Sequence, residues 1–138
     1  MKIISLSQNM NHLLESTVLW SYDHELQLKG GLSHIASLFS GMPPIHNHQG
    51  HLLLTEQSII ITGDSDIIIS LNDIEELYVG FDENYPRNFV KNFGAFCQPL
   101  RVKANNGISS TTVYLILDYT YFGSSNQTLF DMLQELLS

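Results

Sequence analysis

Apolar and polar residues alternate along several segments of the chain, a pattern that indicates half-buried β-strands. In residues 111–121 (TTVYLILDYTY) every odd position from Val113 onward is apolar or aromatic, and residues 99–105 (PLRVKAN) alternate in the same way. These segments predict two antiparallel strands. The residues Asn105–Gly107 favour a turn between them because Asn and Gly tolerate positive φ, and residues 109–111 are expected to lengthen the turn into a loop.

Three short aliphatic blocks between Gly50 and Leu77 predict further strands. Each block is shorter than a typical helix, and its β-branched residues favour a pleated surface. Turn-forming polar residues separate the blocks. Alternation continues through Leu77, Val79 and Phe81, and residues 18–31 predict an earlier strand or a bent pair of strands. The three blocks are His51–Leu54, Ser58–Thr62 and Asp66–Leu71.

The C-terminal segment alone has a strong helical period. Its apolar residues recur three and four positions apart on one face, and the spacing of Ser124 and Gln127 predicts a capping box. We therefore predict a single, mainly β (α+β) domain over residues 1–138, with six or seven antiparallel strands within residues 17–122 and a C-terminal α-helix over residues 125–137. The sheet is expected to form a partly open barrel or a two-sheet sandwich capped by the helix. The apolar helix face comprises Leu129, Phe130, Met132, Leu133, Leu136 and Leu137.

The composition is that of one domain with its own core. The chain has 138 residues, of which 43% are hydrophobic and 10% aromatic. Because Cys97 is the single cysteine, an intramolecular disulfide and a thiolate metal cluster are excluded, and a buried, inert thiol is expected. The sequence has no apolar run long enough to span a membrane and no pattern of a secretion signal. These features predict a cytoplasmic protein without a cofactor.

The charge of the chain is acidic overall but unevenly distributed. The formal net charge is −8, which disfavours nucleic acids and anionic membranes as partners because both repel a negative protein. Residues 87–103 nevertheless hold four basic residues and no acidic one. This basic segment directly follows the acidic stretch 73–83, so complementary surfaces within one protein or between two copies are expected.

Residues 85–98 combine these bases with aromatic side chains, which are common in protein interfaces. We expect Arg87, Phe89, Lys91 and Phe93 to contact a protein partner or a second copy, together with the exposed edge of an adjacent strand that accepts another strand. The alternative is that Phe89 and Phe93 lie on one side of a short helix that packs on the core. Arg87 and Lys91 would then pair with neighbouring acids.

Three histidines in the segment PPIHNHQGH suggest a second kind of site. His46 and His48 have the spacing that places two imidazoles on one side of an extended segment, and His51 lies close by. A metal or small ligand at His46, His48 and His51 is therefore an alternative function. A loop of solvated histidines explains the same residues, since the sequence identifies no further ligand.

The sequence carries no recognisable catalytic signature. A G-x-S-x-G nucleophile motif is absent, and the paired carboxylates lie in expected turns, where acids are usually solvated. We therefore predict a binding protein without enzymatic activity.

Two motifs resemble a known superfamily. The pattern G-x-L-x-L-T at Gly50–Thr55 and the pattern I-x-L-x-D-I at Ile69–Ile74 resemble the core of GRAM domains and of the wider pleckstrin-homology-like superfamily. The resemblance implies a non-enzymatic module that binds peptides or, peripherally at membranes, phosphoinositides. Residues 30–49 lack the Lys and Arg cluster of lipid-binding members, so the phosphoinositide site is not expected.

Overall fold

The computed structural model describes residues 12–27, 44–90, 97–120 and 123–138. It confirms the predicted fold class, because these residues form seven antiparallel strands and a C-terminal helix. The described residues also form two α-helices, α1 (Asp23–Leu26) and α2 (Asn126–Leu137), and two 3₁₀ turns at Leu71–Asp73 and Arg87–Phe89. The strands are β1 (His12–Tyr22), β2 (His48–Thr55), β3 (Ser58–Gly63), β4 (Ile67–Ser70), β5 (Ile74–Val79), β6 (Leu100–Asn105) and β7 (Ser110–Leu117).

All seven strands belong to one sheet in the order β4-β3-β2-β1-β7-β6-β5. The central strand is β1, which pairs with β2 on one side and with β7 on the other, so that Trp20 lies opposite both His48 and Leu115. Within the described residues, β4 and β5 each pair with a single neighbour. The sheet is therefore open between these two edge strands.

The main core lies on the concave face of the sheet. All seven strands and α2 contribute side chains to one apolar cluster, which requires the sheet to curve because its two end strands reach the same interior. Leu129 and Leu133 of α2 are fully buried in this cluster, so the helix caps it. In the described parts of the chain, neither helix has the length and apolar character needed to cross a lipid bilayer.

A second core covers the opposite face of β7. Tyr114 and Ile116 are buried there with Tyr85, Phe89 and Cys97, while Val113, Leu115 and Leu117 face the main core. The prediction of a half-buried strand was therefore wrong for β7. Its outer face is covered by α1 and by the segment after β5, and these elements are distant in sequence. The predicted burial of Cys97 is confirmed.

Three boundaries differ from the sequence predictions. The chain leaves β1 into α1 rather than continuing as a strand, because the Glu25 carboxylate accepts a hydrogen bond from the Tyr22 amide at 2.9 Å. The β6–β7 turn is shorter than expected, since β7 already begins at Ser110 and the Asn106 side chain closes the turn by accepting from the amides of residues 108 and 109. Leu117, and not residue 121, ends β7.

The start of α2 is fixed by a buried asparagine and not by the predicted capping box. Ser125 is the N-cap residue, and neither Ser124 nor Gln127 forms the reciprocal pair of a capping box. Asn126 is only 3% exposed. Its side chain accepts from the Leu117 amide at 2.8 Å and donates to the carbonyls of Leu115 and Gln98 at 2.9 and 2.6 Å. One side chain thus joins α2, β7 and the segment before β6.

The exposed end of α2 also departs from the predicted apolar face. Leu136 and Leu137 are 36% and 40% exposed, whereas the preceding leucines of that face are buried. The helix extends beyond the core that it caps, and its last turn projects along the edge strand β5.

Candidate functional site

A groove lies between β5 and the last turns of α2. It has a volume of about 560 Å³, which is comparable to that of ligand-binding clefts. Four apolar side chains line it, contributed by the 3₁₀ turn, β5 and α2: Leu71, Ile74, Leu77 and Leu137. The polar lining includes Glu75, Glu76 and Gln134. The groove therefore combines an apolar floor with an acidic rim.

The groove adjoins a strand edge that can accept another strand. Within the described residues β5 pairs with β6 alone, so its outer backbone N–H and C=O groups are not used by the sheet. Such a row of groups is the template for β-augmentation, in which an extended peptide adds to a sheet and places alternate side chains on each face. A peptide on this edge would lie directly over the groove.

A β-bulge shapes this edge. Ile74 lies opposite Ala104 and Glu76 lies opposite Lys103, so Glu75 is an extra residue without a partner on β6. Bulges bend an edge strand and limit the length over which a regular ladder continues. The regular part of the free edge therefore runs from Glu76 to Val79, beyond the bulge.

Electrostatic contacts on the outer sheet face hold the end of β5. Arg101 of β6 lies between the carboxylates of Glu76 and Asp82, with 2.7 Å between Nη1 and the Asp82 Oδ2 atom, and its guanidinium stacks 4.8 Å from the Tyr78 ring centroid. Asp82 also accepts from the Tyr114 hydroxyl at 2.6 Å. These contacts tie the loop after β5 to β6 and β7.

The Asp82 carboxylate is held in its charged form. Its Oδ1 atom accepts from the amides of Asn84 and Tyr85 at 2.9 and 2.8 Å. Burial acts to raise the pKa of Asp82, but the hydrogen bonds from Tyr114, the Tyr85 amide and Arg101 outweigh it and hold the pKa below its usual value. Asp82 is thus a structural anchor for the segment between β5 and the second core.

We expect the protein to lose stability steeply in alkaline solution. Burial raises the pKa of Cys97 from 9.0 to about 11, and it raises the pKa of Tyr85 and of Tyr114 above 10.0, with the hydrogen bond to Asp82 contributing at Tyr114. These groups stabilise the folded state fully below their unfolded pKa values and lose that contribution as the pH rises through the folded ones. The free energy of unfolding should fall by about 1.4 kcal/mol per pH unit and per titrating group.

Urea denaturation at intervals between pH 8 and pH 11 measures this loss. In a Cys97→Ala variant the decline that begins near the unfolded thiol pKa of 9.0 should disappear, while the decline above 10.0 caused by the two tyrosines should remain. A free energy of unfolding that stays constant from pH 8 to pH 11 would contradict the burial of these groups.

Of the predicted partner surface in residues 85–98, the structure describes residues 85–90 and 97–98, and Tyr85, Phe89, Val90 and Cys97 are buried there. Phe89 is 4% exposed and packs against Tyr85 in the second core, so its ring is not part of the exposed surface. The 3₁₀ turn Arg87–Phe89 directs this aromatic ring inward, as the core-packing alternative expected. Arg87 is exposed, and its guanidinium lies 5.1 Å from the Phe81 ring centroid; among the described residues no acid forms the ion pair with it that the alternative proposed. Lys91 and Phe93 lie outside the described residues.

The three histidines do not converge. His48 Nε2 is 2.7 Å from the Glu25 carboxylate, its Nδ1 atom is 3.5 Å from Asp64, and its ring stacks on Trp20 at 4.3 Å. His46 Nδ1 contacts the Pro44 carbonyl at 2.7 Å. His51 lies three residues after His48 on β2 and therefore on the opposite face. In the ranges that the structure describes, no group of three or more His, Cys, Asp or Glu side chains is arranged to hold a metal.

Comparisons with known proteins give no family. No family model matches the chain, and a search of curated proteins finds no match.

Sequence reasoning did not identify the groove residues. Glu75 and Glu76 looked like solvated acids, and Leu137 looked like part of the buried helix face. One signal was present in the sequence, because the helical pattern of apolar residues continues to Leu137. The resulting twelve-residue helix is longer than the part that packs on the core. An amphipathic helix that extends beyond the core on which it packs leaves apolar surface exposed, and that surface is available for another contact.

Proposed function

We propose that the protein is a non-enzymatic binding module that takes up an extended peptide segment of a partner protein along β5. The observation that supports this proposal most directly is the outer edge of β5, which pairs with no other strand among the described residues, beside a groove that four apolar side chains help to line. The resemblance of Gly50–Thr55 and Ile69–Ile74 to the GRAM and pleckstrin-homology-like superfamily agrees with a binding role. The proposed contact surface replaces the 85–98 segment, in which Phe89 is buried.

Binding would use two kinds of contact. The peptide backbone would bond to the outer N–H and C=O groups of the regular edge from Glu76 to Val79, which supplies affinity without dependence on sequence. Every second side chain of the peptide would enter the groove and pack against Leu77 of β5 and Leu137 of α2. The groove side chains would then select which peptides bind.

A peptide selected on the whole protein from a random phage-displayed library provides the probe. Titration of this peptide into ¹⁵N-labelled protein should shift the amide resonances of β5 and of the last turn of α2. The amides of β4 serve as the internal control, because β4 is also an edge strand but does not border the groove. Failure of the library to yield a binder, or shifts that avoid β5, would refute the proposal.

We expect Leu137→Gln to weaken binding of the selected peptide by about tenfold, since it removes apolar contact area worth about 1.4 kcal/mol. Leu136→Gln is the matched control: both leucines are similarly exposed at the same helix end, but only Leu137 lines the groove. Fluorescence anisotropy of the labelled peptide measures both dissociation constants. Equal effects of the two substitutions would argue against binding in the groove.

A further inference from the structure

We propose that the segment bound on β5 alternates apolar residues with Lys or Arg. This inference rests on the proposed peptide-binding function and adds the chemistry of the partner. It is carried by the charges around the groove, whose rim has two glutamates, while none of the described lining residues is Lys or Arg.

The helix beside the groove adds negative charge outside the groove lining. Asp131 and Glu135 are exposed on α2, and the helix carries no basic residue. Glu75 is exposed at the bulge and forms no ion pair among the described residues. The Glu76 carboxylate forms an ion pair with Arg101. The same guanidinium also pairs with Asp82, so one positive charge serves two carboxylates. Negative charge on the rim therefore exceeds the positive charge that contacts it.

The apolar and acidic residues occupy different parts of the site. Leu77 is partly buried and packs against the main core from the groove side, whereas Glu75 and Glu76 are exposed at the rim. A strand directs successive side chains to opposite faces. A peptide with an apolar residue at every second position can therefore fill the groove while its intervening residues meet the glutamates.

The same residues oppose a second copy of this chain as the occupant. Antiparallel pairing of β5 with β5 of another copy would bring two sets of Glu75 and Glu76 together along one edge. Like charges opposite each other on neighbouring strands are destabilising, and charged residues and bulges on an edge strand prevent self-pairing. A basic partner turns this repulsion into attraction, which favours a different protein over self-association.

Three fluorescein-labelled octapeptides test the charge preference on the whole protein. They alternate valine with lysine, with glutamine or with glutamate, so that their apolar positions are identical. We expect the lysine peptide to bind about three- to thirty-fold more tightly than the glutamine peptide, as two exposed ion pairs allow, and the glutamate peptide to bind most weakly. The difference should shrink in high salt because the ions screen exposed charges.

A charge reversal at the rim provides the matching protein variant. Glu75→Lys should reduce or invert the preference for the lysine peptide. Glu83→Lys changes the net charge equally at an exposed position outside the groove and should leave the order of affinities unchanged. Circular dichroism of both variants establishes that they fold.

The outcomes separate this inference from the function on which it rests. Equal binding of the three peptides, with amide shifts at β5, would overturn the basic preference and leave peptide binding intact. Absence of binding by all three, together with an empty library selection, would overturn both. A dimer in sedimentation that Glu75→Lys alters but Glu83→Lys does not would identify a second copy as the occupant and overturn the inference.

Discussion

Asn126→Ala is expected to lower the free energy of unfolding by about 3 to 5 kcal/mol, one of the two largest effects that we predict. The substitution leaves the Leu117 amide and the Leu115 and Gln98 carbonyls without the side chain that bonds to them. A buried polar group that loses its partner costs about 1 to 3 kcal/mol. The three costs do not add fully, because they belong to one network and the structure relaxes around it.

Thermal and urea denaturation measure this effect, and the melting temperature should fall by about 10 to 15 °C. Gln127→Ala is the matched control, since Gln127 is the next residue of the same helical turn but is exposed and donates only to Asp131. It should change the free energy of unfolding by less than about 0.5 kcal/mol. If Asn126→Ala and Gln127→Ala have similar stability, Asn126 does not fix α2 to the sheet.

Asp82→Asn is expected to cost about 2 to 3 kcal/mol at neutral pH. The amide oxygen of the new side chain can still accept from the amides of Asn84 and Tyr85, but its NH₂ group faces the donors of Arg101 and Tyr114. The variant thus replaces the charged hydrogen bond from Arg101 by two opposed donors, a change on this scale, whereas the Tyr114 hydroxyl can rotate to accept from the new NH₂ group.

Glu76→Gln removes the more exposed of the two carboxylates that contact the Arg101 guanidinium. The Glu76 side chain is 46% exposed and that of Asp82 is 16% exposed, so the loss of the Glu76 ion pair should cost less than about 1 kcal/mol. Because the folded-state pKa of Asp82 is lowered, its contribution is present above the unfolded value of 3.8 and is lost as the pH falls through the folded value. In the Asp82→Asn variant the free energy of unfolding should therefore depend less on pH in acid solution. Equal losses of stability in Asp82→Asn and Glu76→Gln would contradict the network.

Strands could be predicted from the sequence where one face meets the core and the other meets solvent. The alternation in β6 (Leu100–Asn105) is of this kind, since Leu100, Val102 and Ala104 are buried between more exposed residues. The pattern fails at β7, where Tyr114 and Ile116 face a second core that only the folded chain assembles. Phe89 is buried in the same second core, and nothing local in the sequence distinguishes an aromatic side chain that contacts a partner from one that packs within the chain itself.

The candidate site could not be predicted, because it is created by tertiary structure. The groove joins β5 to a helix end far along the chain, and β5 lies at the edge only because it is the last strand in the order of the sheet that the described residues form. Asn126 shows the same limit on a smaller scale. Its side chain bonds to backbone groups of β7 and of the segment before β6, whereas a capping rule based on spacing alone selects Ser124 and Gln127.

The strand order also determines how the chain can assemble. Among the described residues, every ladder except one joins strands that follow each other in sequence, so the sheet consists of two meanders, β1 to β4 and β5 to β7. Within this sheet the β1–β7 ladder joins the two meanders, and it closes the longest loop. The largest entropic cost of bringing distant segments of the chain together therefore arises when the β1–β7 ladder forms. Each meander can form from local contacts, but the common core exists only after the junction has formed.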